Sequence, residues 1–452
     1  MSEEAGSGGT ARPDLARVLR LVDVVGIVVG SVIGSGIFIV PATIALEVGS
    51  PVLILAVWVV GGALTFFGAL CFAELGAMYP EAGGTYLYLR EAYGPLVGFL
   101  FGWTLFLVID SGAMATLASA FATKYLPHFV TLSPLGTRLV TLLFIAFLVA
   151  VNVLGVRHGA NLQNLLTAIK FLAIVAVVAL IFLFARGDVA NFTTPAVEPF
   201  TPGLVSRFGA ALIACLWAYK GWEAATYNTG ELENPQRNLF LGLLVGCVLV
   251  VVLYMATNLA YLYVLPAGAI AGSERIAADA LTRAIGPRAG TFISVLILLS
   301  ILGAANSNIL TAPRVYYAMA MDRLFFRRVA AVHPRTRTPH VSILAMGAWT
   351  AVLAMSGTFE QLFAYVVFGQ WIFFALTVGA VLVLRRRRPD LPRPVRVWGF
   401  PATPIVFIAA AVFISVSSLI SGPANALAGL AIIALGIPVY LFWRARSGQA
   451  GQ

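Results

Sequence analysis

The chain has 452 residues, 60% of them hydrophobic and 11% charged, with a mean hydropathy of +0.93. That composition excludes a water-soluble domain, which needs far more polar surface, and describes a polytopic membrane protein. The net charge of +10 would suit nucleic acid, but much of it lies in short segments between apolar runs, "DRLFFRRVAAVHPRTRTPH" (322–340) and "RRRRPDLPRPVR" (385–396). Charge placed this way sets membrane topology and meets anionic lipid, so a nucleic-acid role is set aside.

The first 20 residues are polar, with no apolar core or cleavage site, so no removable signal peptide is expected. Twelve all-α spans are expected, at about 22–48, 51–79, 95–123, 137–155, 163–185, 206–230, 238–265, 288–320, 341–358, 360–384, 401–421 and 424–443. They make one membrane domain, 21–445, between tails at 1–20 and 446–452. With the N-terminus inside, inner segments hold 19 of the 29 Lys and Arg and outer segments hold 7. That bias puts both termini in the cytoplasm, and the cell inner (plasma) membrane is the expected location. Cys71, Cys215 and Cys247 stand singly in spans, and the four histidines form no ligand spacing. No metal, cofactor, disulfide framework or catalytic centre is expected.

Span 1 contains "VVGSVIGSGIFIVPA" (28–42), where Gly30, Gly34 and Gly36 interrupt an apolar run together with Ser31 and Ser35. Each helix-interior glycine costs about 0.5–1 kcal/mol relative to alanine, so the cluster marks a break. In span 2, Glu74 reads as an interfacial group. In span 3, Asp110 is mid-helix and is either a satisfied hydrogen-bonding group or part of a polar pathway. In span 5 stands Lys170. The chain has three lysines among its 29 basic residues, and two of them, Lys170 and Lys220, fall inside spans. Lysine is the basic side chain whose charge responds most readily to burial. Position alone leaves Lys170 either snorkelling to the interface or buried for a purpose.

Span 6 centres on Trp217-Ala218-Tyr219-Lys220-Gly221-Trp222-Glu223. On an intact helix Lys220 and Glu223 would share a face and neutralise one another, whereas Gly221 permits unwinding between them. Breaks in spans 1 and 6, five spans apart, are the pattern of two inverted five-helix repeats, each opening on a broken helix. The amide end of such a break suits a carboxylate and the carbonyl end an ammonium, so a free α-amino acid matches both.

The boxes "GSVIGSGIF" (30–38), "ELGAMYPEAGGTYLYL" (74–89), "WAYKGWEAATYNTGELENPQRN" (217–238) and "HPRTRTPHVSI" (333–343) resemble the amino acid–polyamine–organocation transporters, and most closely their L-type branch. The resemblance spans roughly residues 20–445 and implies a LeuT-type fold. Its two repeats would lie at about 22–185 and 206–385, followed by two further helices. It implies that a substrate carboxylate meets the amides of Ser35, Gly36 and Ile37. The ammonium would meet carbonyls near Val32, Ile33, Trp217 and Lys220, in a site that includes Gly34, Ala218 and Tyr219. Trp217 would be the aromatic gate, and Lys170 would stand where sodium sits in sodium-coupled relatives. Two residues set this chain apart: Lys220, where L-type members usually have glycine, and Glu223, an acidic position tied to protonation in the cationic branches. Asp110 and Glu223 are thus candidate coupling groups. The segment "KYLPHFVTLSPLGTR" (124–138) lacks the cysteine that links eukaryotic L-type subunits to a glycoprotein, so no covalent heavy chain is expected.

The expected function is sodium-independent transport of neutral amino acids by exchange or proton symport, with amino acid and bilayer as the only partners. A cationic amino acid or polyamine carrier is the alternative within the class, and a transport-inactive sensor on the same fold the alternative outside it. No filter sequence supports a channel.

Overall fold

The computed structural model describes residues 15–193, 201–356, 359–421 and 423–449. The expected tail before residue 15, the end of span 9 at 357–358 and residues 450–452 lie outside them. All regular structure among the described residues is helical, apart from one isolated bridge between Leu19 and Leu232.

Span 1 is two helices, α1 (Leu21–Val32) and α2 (Gly36–Val48), meeting at 45°. Then come α3 (Pro51–Met78), a short α4 (Thr85–Tyr93), and α5 (Pro95–Thr104) running into α6 (Asp110–Ala120) through a π-turn at Leu105–Ile109. Next are α7 (Pro134–Val153) and α8 (Val156–Phe184). Span 6 is α9 (Pro202–Ala218) continued by a 3-10 helix, Trp222–Glu231. The second half holds α10 (Pro235–Val264), the short α11 (Ala267–Ala271) and α12 (Ile276–Ile285), and then α13 (Ala289–Thr311) with α14 (Pro313–Met321). It ends with α15 (His340–Ser356), α16 (Phe359–Arg387), α17 (Ala402–Ser421) and α18 (Pro423–Gln449). Proline opens α3, α5, α7, α9, α10 and α14, where its missing N–H is one the helix would leave unbonded anyway. The helices α4, α11 and α12 lie between the expected spans; being short or amphipathic, they give no long apolar run to find.

Nine helical stretches among the described residues are long and apolar enough to cross a membrane, or ten with α1 and α2 taken as one span. Their outer faces are oily: Leu183 is 74% and Ile420 76% exposed, a surface that lipid covers and water would not. Inside, α10 packs along α3 and α1, α8 carries α1 and α13, and α2 lies on α9.

Ion pairs on buried carboxylates tie one end of the bundle. Asp23, fully buried, accepts from the Arg20 amide (2.7 Å), the Arg157 guanidinium (2.7 Å) and the Asn164 amide (2.6 Å), joining the start of α1 to α8. Arg314 and Glu231, both 0% exposed, meet through two bonds of 2.8 and 2.9 Å. Beside them Val18 and Leu19 donate to the Glu231 carbonyl at 3.0 Å, and Glu233 donates to that of Leu19 at 2.8 Å. Glu74 is buried. Its carboxylate accepts two bonds from Arg385 and one from the Val397 amide, tying α3 to the end of α16 and the segment beyond.

Removing one partner of a buried pair strands the other charge, a cost of about 3–5 kcal/mol. Glu231→Ala therefore lowers the thermal unfolding midpoint of the detergent-solubilised protein markedly, and the double change Glu231→Leu with Arg314→Met restores most of it. An unchanged midpoint in the single variant would contradict the pairing.

Candidate functional site

The two breaks touch. Gly221, at φ +121°, lies where an added Cβ would stand 2.8 Å from Ser31 Cβ and 2.9 Å from its carbonyl carbon. On the other side, a Cβ on Gly36 would meet the Cα and Cβ of Ala218 at 3.0 Å. Only glycine lets the backbones approach so closely, and at Gly221 the positive φ demands it as well. Tyr254 of α10 spans both breaks: its hydroxyl lies 3.0 Å from the Val32 carbonyl and 3.4 Å from that of Ala218. Ser31 donates to the Ile27 carbonyl at 2.6 Å and its hydroxyl also meets that of Ser307 on α13.

Unwinding α1 frees carbonyls that an intact helix would occupy. Lys170, completely buried, sends its ammonium to two of them, Gly30 at 2.6 Å and Ile33 at 2.7 Å. The ammonium lies against Gly303 of α13, so α8 joins α1 and α13 through one cation. Thr167, a turn earlier, donates to the Gly26 carbonyl at 2.9 Å. The other half of the break starts α2, whose first amides have no intrahelical acceptor.

Between the breaks lies a cavity of about 280 Å³, bordered by Val32, Gly34, Ser35, Gly36, Trp217 and Ala218 and by the charged residues Asp110, Lys220 and Glu223. It extends along α2 to Ile39 and to Lys124 and Tyr125 beyond α6, away from the end that those ion pairs tie. Four expected residues stand off the cavity wall. Ile33 and Ile37 are buried, Tyr219 packs edge-on against Trp58 and sends its hydroxyl to that residue's carbonyl (3.3 Å), and Lys170 sits behind the break. The helix is unwound between Lys220 and Glu223, and among the described residues no ion pair joins them. Instead Glu223 accepts from the Gly221 amide at 3.0 Å and from Gln370 of α16 at 3.0 Å.

Residue patterns alone missed Tyr254, Gln370 and a buried amide chain: Asn152 donates to Asn306 (3.0 Å), which donates to Gln163 (2.9 Å) and to the Gly159 carbonyl (3.1 Å). The signal for the last was present. Asn306-Ser307-Asn308 is a polar triplet inside an apolar span, and buried amides need partners.

Fold and site together define a polytopic membrane transporter with a solute-sized cavity between two broken helices. The chain belongs to the amino acid permease family, whose model matches residues 19–442; it is a transporter family rather than an enzyme family. Among its relatives, b(0,+)-type amino acid transporter 1 of Mus musculus is 34% identical over 418 residues, covering 91% of this chain and 84% of that protein. The large neutral amino acids transporter small subunit 2 of Homo sapiens is 33% identical over 451 residues, covering 98% and 84%. The serine/threonine exchanger SteT of Bacillus subtilis (strain 168) is 32% identical over 438 residues, covering 96% and 98%.

Gly221→Ala forces a methyl into Ser31 at a strained φ, a penalty of roughly 1–3 kcal/mol from the backbone alone. Transport should fall at least tenfold while the protein still purifies as one species by gel filtration; wild-type rates would contradict the contact.

Proposed function

We propose that the protein is a sodium-independent amino acid transporter that works by alternating access, with neutral amino acids as its substrates. Transport itself is the business of the family. The single observation that carries the finer reading is the Lys170 ammonium on the Gly30 and Ile33 carbonyls. Oxygens freed by a helix break at this depth would otherwise collect a cation; here a fixed one sits among them. The amides opening α2 suit the substrate carboxylate, and carbonyls near Trp217 and Lys220 its ammonium, since those of Val32 and Ile33 are already engaged. Ser35, Gly36 and Ile37 would supply the donors and Trp217 the gate. The names of the three relatives, which speak of amino acids, large neutral amino acids and serine/threonine exchange, support this ligand class.

The architecture we propose is LeuT-type: twelve spans, two inverted repeats at about 22–185 and 206–385, and helices at 401–443. On this reading α9 with its 3-10 continuation, and α15, count as spans. The N-terminal tail and basic loops lie in the cytoplasm and the membrane is the plasma membrane. The cavity then opens outward, with Asp23–Arg157 and Glu231–Arg314 closing the inner side. The protein works without a covalent heavy chain. Exchange and proton symport remain the two modes, and the burial of the Glu223 carboxylate favours a protonation role.

Counterflow in proteoliposomes tests the function: labelled amino acid should accumulate only with unlabelled amino acid preloaded or a proton gradient imposed. Ligand binding without accumulation would make the protein a sensor. Uptake should be equal in sodium and choline buffers, and Lys170→Ala should abolish it without unfolding the protein. A sodium requirement, or full uptake by Lys170→Ala, would overturn the reading. Glu223→Gln should flatten the pH dependence of uptake, and a retained profile would remove Glu223 from coupling.

A further inference from the structure

The cavity wall is more highly charged than a site for aliphatic side chains should be. Asp110, on the first turn of α6, is presented there by the preceding π-turn, a distortion that often marks functional positions. Asp110 as a residue is 8% exposed, and among the described residues its carboxylate makes no hydrogen bond or ion pair. Across the cavity, Lys220 stands in the unwound turn after α9, partly exposed and likewise without a hydrogen bond or ion pair among the described residues. Glu223, the third charge, is occupied by the Gly221 amide and Gln370. An unpaired anion and an unpaired cation thus face the same space without meeting one another.

We infer that this pair forms the side-chain subsite and selects polar uncharged amino acids, those with a hydroxyl or amide, over aliphatic ones of equal size. The inference rests on the transport reading above and deepens it. A hydroxyl or carboxamide is donor and acceptor at once, so its hydrogen can go to Asp110 while its oxygen accepts from Lys220. An aliphatic side chain in the same place displaces water from both charges and offers nothing in return, which is costly above all for the buried Asp110. A basic side chain meets Lys220 head-on, and an acidic one meets Asp110 and Glu223. Sites built to hydrogen-bond a ligand group reject the isostere that lacks it far more strongly than apolar pockets reject an extra methylene.

The test uses purified protein in proteoliposomes preloaded with mixed amino acids, and measures uptake of labelled threonine, valine, asparagine and leucine separately. Threonine and valine are near-isosteres, as are asparagine and leucine. Threonine should exceed valine, and asparagine leucine, by at least about tenfold in uptake efficiency. In Lys220→Met the threonine-to-valine ratio should fall to within about threefold, through a gain for valine. Because the ratio is taken within one preparation, the folded fraction cancels; Asp110→Val gives a second, independent ratio. Valine or leucine transported as well as its polar partner would overturn the inference while leaving the transport reading intact. So would an unchanged ratio in Lys220→Met. Absence of saturable uptake for all four would overturn both.

Discussion

Backbone unwound inside a membrane-embedded bundle must find partners for every N–H and C=O it releases, because lipid supplies none. Much of this molecule answers that constraint. The α1 break releases carbonyls at Gly30, Val32 and Ile33, and they are met by Lys170, by Tyr254 and by the Gly34 amide. These partners come from α8, from α10 and from the break itself. Gly36, which opens α2, borders the cavity.

The same constraint explains why the helices around the break are polar where they touch it. Thr167 on α8, Ser307 on α13 and Tyr254 on α10 each spend a hydroxyl on α1 or its break. The amide chain Asn152–Asn306–Gln163 lies deeper in the same region, joining α7, α13 and α8. Asn306 uses its side-chain amide on both neighbours, while Asn152 Oδ1 and Gln163 Nε2 at the ends of the chain have no hydrogen-bond partner among the described residues. Around this polar centre the described outer faces are rich in exposed apolar side chains, so the fold is held in register by its middle and held in the membrane by its rim.

Much of this was legible in the sequence for simple reasons. Single glycines are no guide, since Gly61, Gly62 and Gly68 lie inside the continuous α3. Glycines clustered with serines at 30–36, and Gly221 set between charged residues, could be read directly, and three lysines with two inside spans made Lys170 conspicuous. What stayed hidden was pairing at a distance. The Ile33 carbonyl, which read as open to a ligand ammonium, is taken by Lys170, 137 positions away. Lys220 and Glu223 read as a helical pair, but the turn between them unwinds, and Glu223 finds Gln370, 147 positions away, instead. Glu74, which read as interfacial, is buried under Arg385. Local spacing carries no information about such partners.

The central claim is that the paired breaks bind the two charged groups common to every α-amino acid. The most direct measurement is the thermal unfolding midpoint of the purified protein with threonine or asparagine, each compared with its methyl ester and its N-acetyl derivative. The account predicts that a free amino acid raises the midpoint while its ester, lacking the carboxylate, and its N-acetyl form, lacking the ammonium, leave it unchanged. Equal stabilisation by the ester or the N-acetyl form would contradict it.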